Sequence, residues 1–313
     1  MPDVNHSKSA ELVGIACILG ATACFSLIDT VAQFVILTVP AMMALWVRYV
    51  VQAVATTAVL LPMHGRDLFR TGKPLIQLLR GVLVIISTTL AFYSLKVVQV
   101  GEFTAILMVT PMLVTFLAVT LLGERIHPRQ WLFVIGGFIG MLLIVRPGMT
   151  GTDLGGRMGD GMGWAALLPI SCLLTSSMFQ LLSSHLGRTE KPATTHFYSS
   201  WIGLACATVI VPSHWTSIGP VSLWGLMGVM GIFGAIGHFV LSTAYQRAPA
   251  SSLMPYLYAQ VGFAVLGGYL VFDHVPDLLA STGSVIITLS GIANTWYAIR
   301  KNRQNRQNRP QAI

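Results

Sequence analysis

Residues 131–148 read WLFVIGGFIGMLLIVRPG, an apolar stretch of membrane-spanning length that ends in Arg146-Pro147-Gly148. It is the fifth such stretch from the N-terminus, and five more follow before residue 300. Because five is an odd number, the second set must run through the bilayer in the opposite sense to the first. The spans begin near Leu12, Met42, Leu78, Phe103 and Trp131 in the first set, and near Met162, Thr194, Val221, Ser251 and Leu278 in the second.

The composition indicates a membrane protein. Hydrophobic residues make up 54% of the 313 residues, charged residues make up 10%, and the mean hydropathy is +0.71. Soluble domains carry roughly 25% charged residues. Each stretch has about 20 residues, enough for a helix to cross roughly 30 Å of hydrocarbon, and none shows the strict alternation of a barrel strand. We therefore expect an all-α membrane protein with ten transmembrane helices.

The distribution of positive charge predicts the orientation. With the N-terminus inside, fourteen Lys and Arg residues fall in cytoplasmic segments and three (Lys96, Arg146 and Arg157) fall outside, while Arg48 and Arg80 lie within spans. This bias predicts that both termini lie in the cytoplasm, and we expect a multi-pass protein of the inner (cytoplasmic) membrane. Five of the fourteen lie in the C-terminal tail, where attraction to anionic lipid explains them better than a nucleic-acid partner does.

The same pattern divides the chain into two copies. A cytoplasmic tail (1–11) precedes a first five-helix set (12–145), a connection (146–160), a second set (161–299) and a basic cytoplasmic tail (300–313). Shifting the chain by 149 residues aligns Ser94 with Thr243 and Glu124 with Asp273. Two inverted copies around the membrane midplane are the architecture of many secondary transporters.

Several motifs of the two copies resemble one known family. The first copy contains Arg80-Gly81, Phe92-Tyr93-Ser94-Leu95, Gly101-Glu102 with Pro111, and Leu122-Gly123-Glu124-Arg125, and the second contains Gly237-His238, Ala248-Pro249-Ala250 and Tyr258-Ala259-Gln260. In these motifs the chain resembles the EamA-type members of the drug/metabolite transporter superfamily. The resemblance implies ten helices around a central cavity, cytoplasmic termini and transport by alternating access. It leaves the substrate open, because members import or export different metabolites.

Two opposite charges within the first two spans are candidates for binding a solute. Asp29 lies about seven residues before the outer end of the first span, and Arg48 about seven residues after the outer start of the second. The short connection suggests that these helices are antiparallel neighbours, so the two charges would share a depth. We predict an Asp29–Arg48 ion pair, which either is a purely structural bridge or opens to bind a substrate carboxylate or amine.

Further candidates for substrate binding are polar and aromatic. His238, Tyr256, Tyr258 and Gln260 lie at comparable depths in the eighth and ninth spans, and Tyr93 lies in the outer half of the third. Together they would line a polar, aromatic cavity for an organic solute. The alternative for His238 is a hydrogen bond to a neighbouring helix. Tyr256 and Tyr258 are two residues apart, so one helix face cannot present both unless Pro255 bends the span.

A second group of residues is predicted to shape or move the helices. Pro111 and Pro255 lie within spans, where a missing N–H loosens the helix. Gly136 and Gly140 allow close packing within one chain or between two. Glu124 and Asp273 close corresponding spans of the two copies, and Arg80 is expected to extend towards anionic headgroups. The last group is therefore Pro111, Glu124, Gly136, Gly140, Pro255 and Asp273.

These observations favour a secondary transporter over an enzyme. The sequence has no GxSxG, HExxH or dinucleotide-binding glycine pattern, and its four cysteines show no metal-binding spacing. No catalytic, metal or cofactor residue is therefore predicted. The expected partners are a small organic solute and the lipid bilayer, with a coupling proton and a second copy of the chain as candidates. The alternatives are a membrane scaffold or sensor, or an intramembrane enzyme.

Overall fold

The computed structural model describes residues 4–36, 38–97, 103, 107, 109–123, 128–145, 167–211, 215–216 and 220–272, together with helical positions between 278 and 297. Within these ranges the regular structure is helical, and no strand occurs. The helices are α1 (Val4–Val35), α2 (Ala41–His64), α3 (Pro74–Val97), α4 (Thr110–Leu122), α5 (Pro128–Val145), α6 (Leu167–Gly187), α7 (Pro192–Ile210), α8 (Val221–Arg247), α9 (Ala250–Leu257) and α10 (Ala259–Phe272), with a 3₁₀ turn at Gly65–Phe69.

The helices confirm the all-α class and the ten predicted spans. Helices α1–α8 correspond to the first eight spans, α9 and α10 share the ninth, and the helical positions at 278–297 fall in the tenth. In the described part, five helices are long and apolar enough by composition to cross a membrane: Ala10–Val35, Ala41–Phe69, Pro74–Ser94, Leu167–Gly187 and Val221–Arg247. Thr110–Leu122 and Trp131–Gly140 are shorter apolar helices.

Helix α7 is less apolar because it turns its polar side chains inward. Thr194, Thr195, His196, Ser199 and Ser200 are all buried. Buried polar groups need partners, and this helix finds them on the first copy. Its modest hydropathy therefore reflects polar contacts inside the bundle rather than exposure to water.

The contacts between α2 and α7 show that the two copies are inverted. The Trp46 indole donates to Thr208 Oγ1 at 3.0 Å, near the start of α2 and the end of α7. Further along α2, Thr56 Oγ1 lies 2.8 Å from His196 Nε2, near the start of α7. The residue numbers of the contacts decrease along α7 as they increase along α2, so the two helices are antiparallel. Since α2 and α7 are the second spans of their copies, the copies run in opposite directions.

The packing between the copies is reciprocal. Helix α1 packs on α8, and α6 packs on α3, which is the same contact with the roles of the copies exchanged. The pairs α2–α8 and α7–α3 are related in the same way, as are α1–α10 and α6–α4. This pattern is expected when a two-fold axis relates the two copies. The boundaries assigned to them from the sequence remain a prediction, and residues 146–160 and 300–313 lie outside the described residues.

The expectation that α1 and α2 pack along each other is wrong. In the described structure α1 packs mainly on α8 and α10, whereas α2 packs on α7 and α8. Inversion of the copies places α8 against both helices, and its glycines permit the close approach. A Cβ at Gly237 would lie 3.0 Å from Cys24 Cβ on α1, and one at Gly231 would lie 2.8 Å from the Arg48 carbonyl oxygen on α2.

The ninth span is broken where the sequence contains Pro255. Helix α9 ends at Leu257, Tyr258 is a turn, and α10 begins at Ala259. A proline within a helix removes one backbone donor and crowds the preceding turn. Pro111 behaves differently: it stands in the first turn of the described α4, where a missing N–H leaves no bond unmade. Gly123, at φ 64°, ends that helix.

Two of the remaining predicted positions are placed and two are not. A Cβ at Gly136 would lie 2.6 Å from Ser290 Oγ, so this glycine packs against the tenth span of its own chain. Gly140 is buried on the same helix. Glu124 and Asp273 lie outside the described residues.

Polar contacts join the two copies at one end of the bundle. At the end that contains the α2–α3 connection, the Gly72 N–H donates to Glu190 Oε1 at 2.9 Å, and the Tyr198 hydroxyl donates to the Phe69 carbonyl at 3.0 Å. Lys191 Nζ lies 3.4 Å from Asp67 Oδ2. We call this the α2–α3 end, and the opposite end, with the α1–α2 connection, the α1–α2 end.

Candidate functional site

A cavity of about 180 Å³ lies between the two copies. It is displaced towards the α1–α2 end, because Asp29 lies six residues before the end of α1 and Arg48 seven residues after the start of α2. Helices α1, α2, α3, α6, α8, α9 and α10 contribute to the lining. Its residues are Phe25, Ile28, Asp29, Arg48, Val84, Ser87, Thr88, Ala91, Phe92, Phe103, Leu107, Cys172, Ser176, Phe179, Gln180, His238, Leu241, Leu257 and Gln260.

Four of the predicted site residues meet at this cavity: Asp29, Arg48, His238 and Gln260. The Asp29 side chain is exposed, and its Oδ2 accepts a hydrogen bond from Gln260 Nε2 at 3.1 Å. This bond joins α1 of the first copy to α10 of the second. Because a carboxylate accepts further hydrogen bonds, Asp29 retains acceptor capacity that faces the cavity.

The direct ion pair predicted between Asp29 and Arg48 does not form. Both residues line the cavity, but no ion pair joins them in the described structure. Arg48 is only 4% exposed, and its Nε has no hydrogen-bond partner among the described residues. The physical reason is the packing of the helices: α1 and α2 approach each other across α8 rather than directly, and Gln260 occupies one oxygen of Asp29.

His238 forms part of the cavity floor. Its ring centroid lies 4.9 Å from that of Phe25 and 5.8 Å from that of Phe179. The side chain is 8% exposed, and its Nδ1 has no partner within the described structure. The hydrogen bond to a neighbouring helix that was the alternative for this histidine is therefore not made by Nδ1.

The three tyrosines predicted to line the cavity lie elsewhere. Tyr256 is buried in the apolar core between the copies, and Tyr93 packs beside the core shared by α1, α2, α3, α7 and α8. The Tyr258 ring faces Gly137 of α5, where a Cβ would overlap it. The break after Leu257 turns Tyr258 away from the cavity. In their place Leu257 and Gln260 reach the lining from this span.

The aromatic character of the cavity comes instead from phenylalanines, which the sequence reasoning missed. Phe25, Phe92, Phe103 and Phe179 all line it. Phenylalanine is so common in membrane helices that only the inter-helical packing distinguishes these four from lipid-facing ones. Small hydroxyl residues supply most of the remaining polarity; Ser87 Oγ, for example, lies 3.7 Å from Cys172 Sγ.

Arg80 also lies elsewhere than the sequence reasoning predicted. It is fully buried at 0% exposure and does not reach towards headgroups as expected. Its Nε donates to Ser183 Oγ at 2.6 Å, Nη1 donates to the Thr195 carbonyl at 3.0 Å and to Ser199 Oγ, and Nη2 donates to Ser242 Oγ at 3.2 Å. We refer to these five residues as the Arg80 cluster.

The Arg80 cluster joins the two copies beneath the cavity floor. Arg80 belongs to the first copy, whereas its acceptors lie on α6, α7 and α8 of the second. Its Cζ lies 4.6 Å from the centroid of the Phe179 ring, which lines the cavity. Phe179 therefore separates the cavity from the buried cation. The inverted contact between α3 and α6 explains why Arg80 meets serines here rather than lipid.

Further polar pairs extend this layer between the copies. Gln52 Nε2 donates to Ser200 Oγ at 3.1 Å, and Gln77 Nε2 donates to Thr195 Oγ1 at 3.3 Å. Each of these glutamines leaves its Oε1 without a partner in the described structure. Among the described residues, no group of three His, Cys, Asp or Glu side chains is arranged to hold a metal ion.

Comparisons with known proteins place this architecture among transporters. Residues 12–146 match the EamA-like transporter family. The chain is 26% identical to a riboflavin transporter of Vibrio cholerae over 302 residues, which cover 96% of this chain and 98% of that protein. It is 23% identical to an S-adenosylmethionine uptake transporter of Rickettsia conorii over 313 residues, covering 98% and 100% of the two proteins.

A solved crystal structure shares the fold. It superposes with a TM-score of 0.74 at 18% sequence identity, covering 93% of this chain and 98% of the other. At that identity the likeness concerns the fold alone, and it agrees with the inverted bundle described above. Residues 12–146 are therefore similar to EamA-like transporters, and the chain is similar along nearly its whole length to proteins named as transporters.

Proposed function

We propose that this protein is a secondary carrier that moves a small organic solute across the membrane by alternating access. Relatives that match nearly the whole chain are named as transporters of riboflavin and of S-adenosylmethionine, which supports transport of a small organic molecule. We propose transport rather than catalysis as its activity. The alternatives are a scaffold or sensor that moves nothing, and an intramembrane enzyme.

The observation that carries this proposal is the placement of the cavity between the inverted copies. Its lining includes an acidic and a basic side chain within membrane-spanning helices, Asp29 and Arg48. Charged groups at such positions are costly and usually mark a path for a solute or an ion. Secondary transporters commonly bind their substrate near the midplane at such a repeat interface.

The proposed cycle begins from the conformation described here. Asp29 is exposed near the α1–α2 end, while the Arg80 cluster and the contacts at Glu190 and Asp67 join the copies at the α2–α3 end. We propose that solute enters from the α1–α2 end and contacts the residues around Phe179. Rocking of the copies would then separate the residues of the Arg80 cluster, open the α2–α3 end and close the α1–α2 end.

The cavity also bears on the size of the solute. Sites that enclose drug-sized ligands measure roughly 300–1,000 Å³, whereas this cavity measures about 180 Å³. We propose that the conformation encloses a compact metabolite or one compact part of a larger one.

Orientation and coupling belong to the same proposal. The excess of Lys and Arg in alternate loops supports cytoplasmic termini, an inner-membrane location and an α2–α3 end that faces the cytoplasm. Asp29 is the exposed carboxylate in the cavity and is our candidate carrier of a coupling proton. A second copy of the chain is a candidate partner.

Transport from a labelled metabolite mixture tests the proposal without a substrate having to be chosen in advance. Proteoliposomes that contain only this protein would be loaded or incubated with an isotope-labelled cytosolic extract, and mass spectrometry would identify solutes that cross. A carrier moves a solute unchanged and saturably, with or without a pH gradient. Movement no greater than through protein-free vesicles would contradict the proposal, and a chemically altered solute would favour the enzyme.

A further inference from the structure

Arg48 is a buried cation that has no anionic partner among the described residues. It is 4% exposed and lines the cavity. Within the described structure its Nε has no hydrogen-bond partner and no carboxylate forms an ion pair with it. A buried guanidinium without compensation is strongly unfavourable, so its retention at a cavity wall calls for an explanation.

The charged groups around Arg48 do not supply the missing partner. Asp29 shares the cavity but is bonded to Gln260 at 3.1 Å, and in the described structure it forms no ion pair with Arg48. His238 carries no negative charge in either protonation state. Arg80, the other buried arginine of this region, is already bonded to the hydroxyl and carbonyl oxygens of its cluster. Arg48 is thus the cation whose bonding capacity remains unused.

The position of the guanidinium is fixed by its neighbours. A Cβ at Gly234 would lie 3.3 Å from Arg48 Nε and 3.6 Å from Nη2, so this edge packs against the backbone of α8. The Tyr49 ring centroid lies 5.6 Å from Arg48 Cζ. Because glycine leaves room for the side chain here, packing alone holds Arg48 in place, and its N–H donors remain available to a ligand. A donor group held in position in this way loses little entropy when it binds.

The surroundings suit an oxyanion. Phe25, Phe92 and Leu241 supply apolar walls to the same cavity, and the attraction between charges is strongest where water is scarce. The planar guanidinium matches the paired oxygens of a carboxylate or phosphate. A neutral solute would leave the buried charge uncompensated, and a cationic one would be repelled by it.

We propose that Arg48 binds an oxyanion group, a carboxylate or a phosphate, of the transported solute. The inference rests on the proposed carrier function, because it names the chemical class of the solute at the same cavity. It assigns the anionic part of the solute to the α2 side of the cavity. Asp29, on α1, is left free to contact a donor or to exchange a proton.

Three ligands that share one aromatic ring and differ in the group attached to it test the proposal by binding alone. Benzoate, phenyl phosphate and benzamide would be titrated into the purified protein in detergent, with dissociation constants taken from thermal-shift or fluorescence curves. We expect at least one of the two oxyanions to bind at least tenfold more tightly than benzamide. Equal binding of all three, or binding by none, would overturn the proposal.

Matched variants assign the effect to one side chain. Arg48→Gln should remove the tenfold advantage of the oxyanion over benzamide, whereas Arg66→Gln, at an exposed arginine outside the cavity, should keep it. Arg48→Lys retains the charge and should keep part of the advantage, so it decides the matter if Arg48→Gln does not fold. An oxyanion preference that survives both Arg48 changes would overturn the assignment.

Flux measured on the same preparations separates this inference from the proposed function. Oxyanion binding that depends on Arg48 without movement of any solute would contradict the carrier and leave the binding site standing. Saturable transport of neutral solutes alone, unaffected by Arg48→Gln, would support the carrier and overturn the oxyanion site.

Discussion

Replacement of Arg80 tests whether the buried cluster holds the two copies together. Arg80→Gln removes the charge and most of the donors, whereas Arg80→Lys keeps the charge but concentrates its donors on one atom. The acceptors are spread over three helices, so a lysine cannot satisfy them together. We therefore expect the change that preserves the charge to destabilise the protein at least as much as the neutral one.

The size of the effect follows from the contacts. Arg80 donates four hydrogen bonds, and at about 1.5 kcal/mol for each bond from a charged donor their loss is worth about 6 kcal/mol. The neutral glutamine avoids the desolvation penalty of several kcal/mol that the buried charge carries. The net loss of folding stability for Arg80→Gln is therefore about 2 kcal/mol. The serine hydroxyls still donate to carbonyls of their own helices, for example Ser183 to Phe179 at 2.6 Å.

Unfolding in mixed micelles measures this loss. The purified variants would be titrated with a denaturing detergent while the fluorescence of the seven tryptophans is followed. Arg66→Gln, at an exposed arginine, serves as the control and should stay within about 0.5 kcal/mol of the wild type. If Arg80→Lys unfolds within that same margin, the cluster does not hold the copies together through its hydrogen bonds.

Three further changes address neighbouring features. Gly234→Ala places a methyl group 2.6 Å from Gln52 Oε1 and should cost about 1–3 kcal/mol of folding stability. Gly225→Ala, whose Cβ would have no described atom within 4 Å, is the control and should cost none. Thermal unfolding compares the two variants. Tyr258→Phe removes a buried hydroxyl that has no partner among the described residues, and it should leave the melting temperature unchanged or raise it. Asp29→Asn should lower flux in proteoliposomes at least tenfold with little change in unfolding, and wild-type flux would refute its role.

The spans and the inversion could be predicted because both depend on one-dimensional patterns. The apolar stretch WLFVIGGFIGMLLIV reports its length and hydropathy directly, and α5 runs through it. The depth of Asp29, Arg48, His238 and Gln260 also follows from counting residues along a helix, and all four reach one cavity. Depth is thus available from the sequence alone.

Lateral contacts could not be predicted, because they depend on which helix of the other copy lies beside each residue. From its sequence position alone, Arg80 is expected to extend towards headgroups. Only the placement of α6, α7 and α8 around it shows that its partners lie inside the bundle. Rotation about the helix axis is equally hidden: the break after Leu257 turns Tyr258 towards Gly137. The low hydropathy of α7, whose residues 194–200 are rich in Thr and Ser, was the available sign of a buried polar layer.

The symmetry of the fold does not extend to the chemistry that joins the copies. The shift of 149 residues that relates them places Val229 opposite Arg80. A two-fold relation would put this valine near the α1–α2 end, so closure there cannot use a symmetric counterpart of the Arg80 cluster. Two conformations that interconvert must differ by only a few kcal/mol, so apolar contacts formed at that end would have to offset the separation of the Arg80 cluster. Weakening the cluster should therefore favour the conformation open at the α2–α3 end.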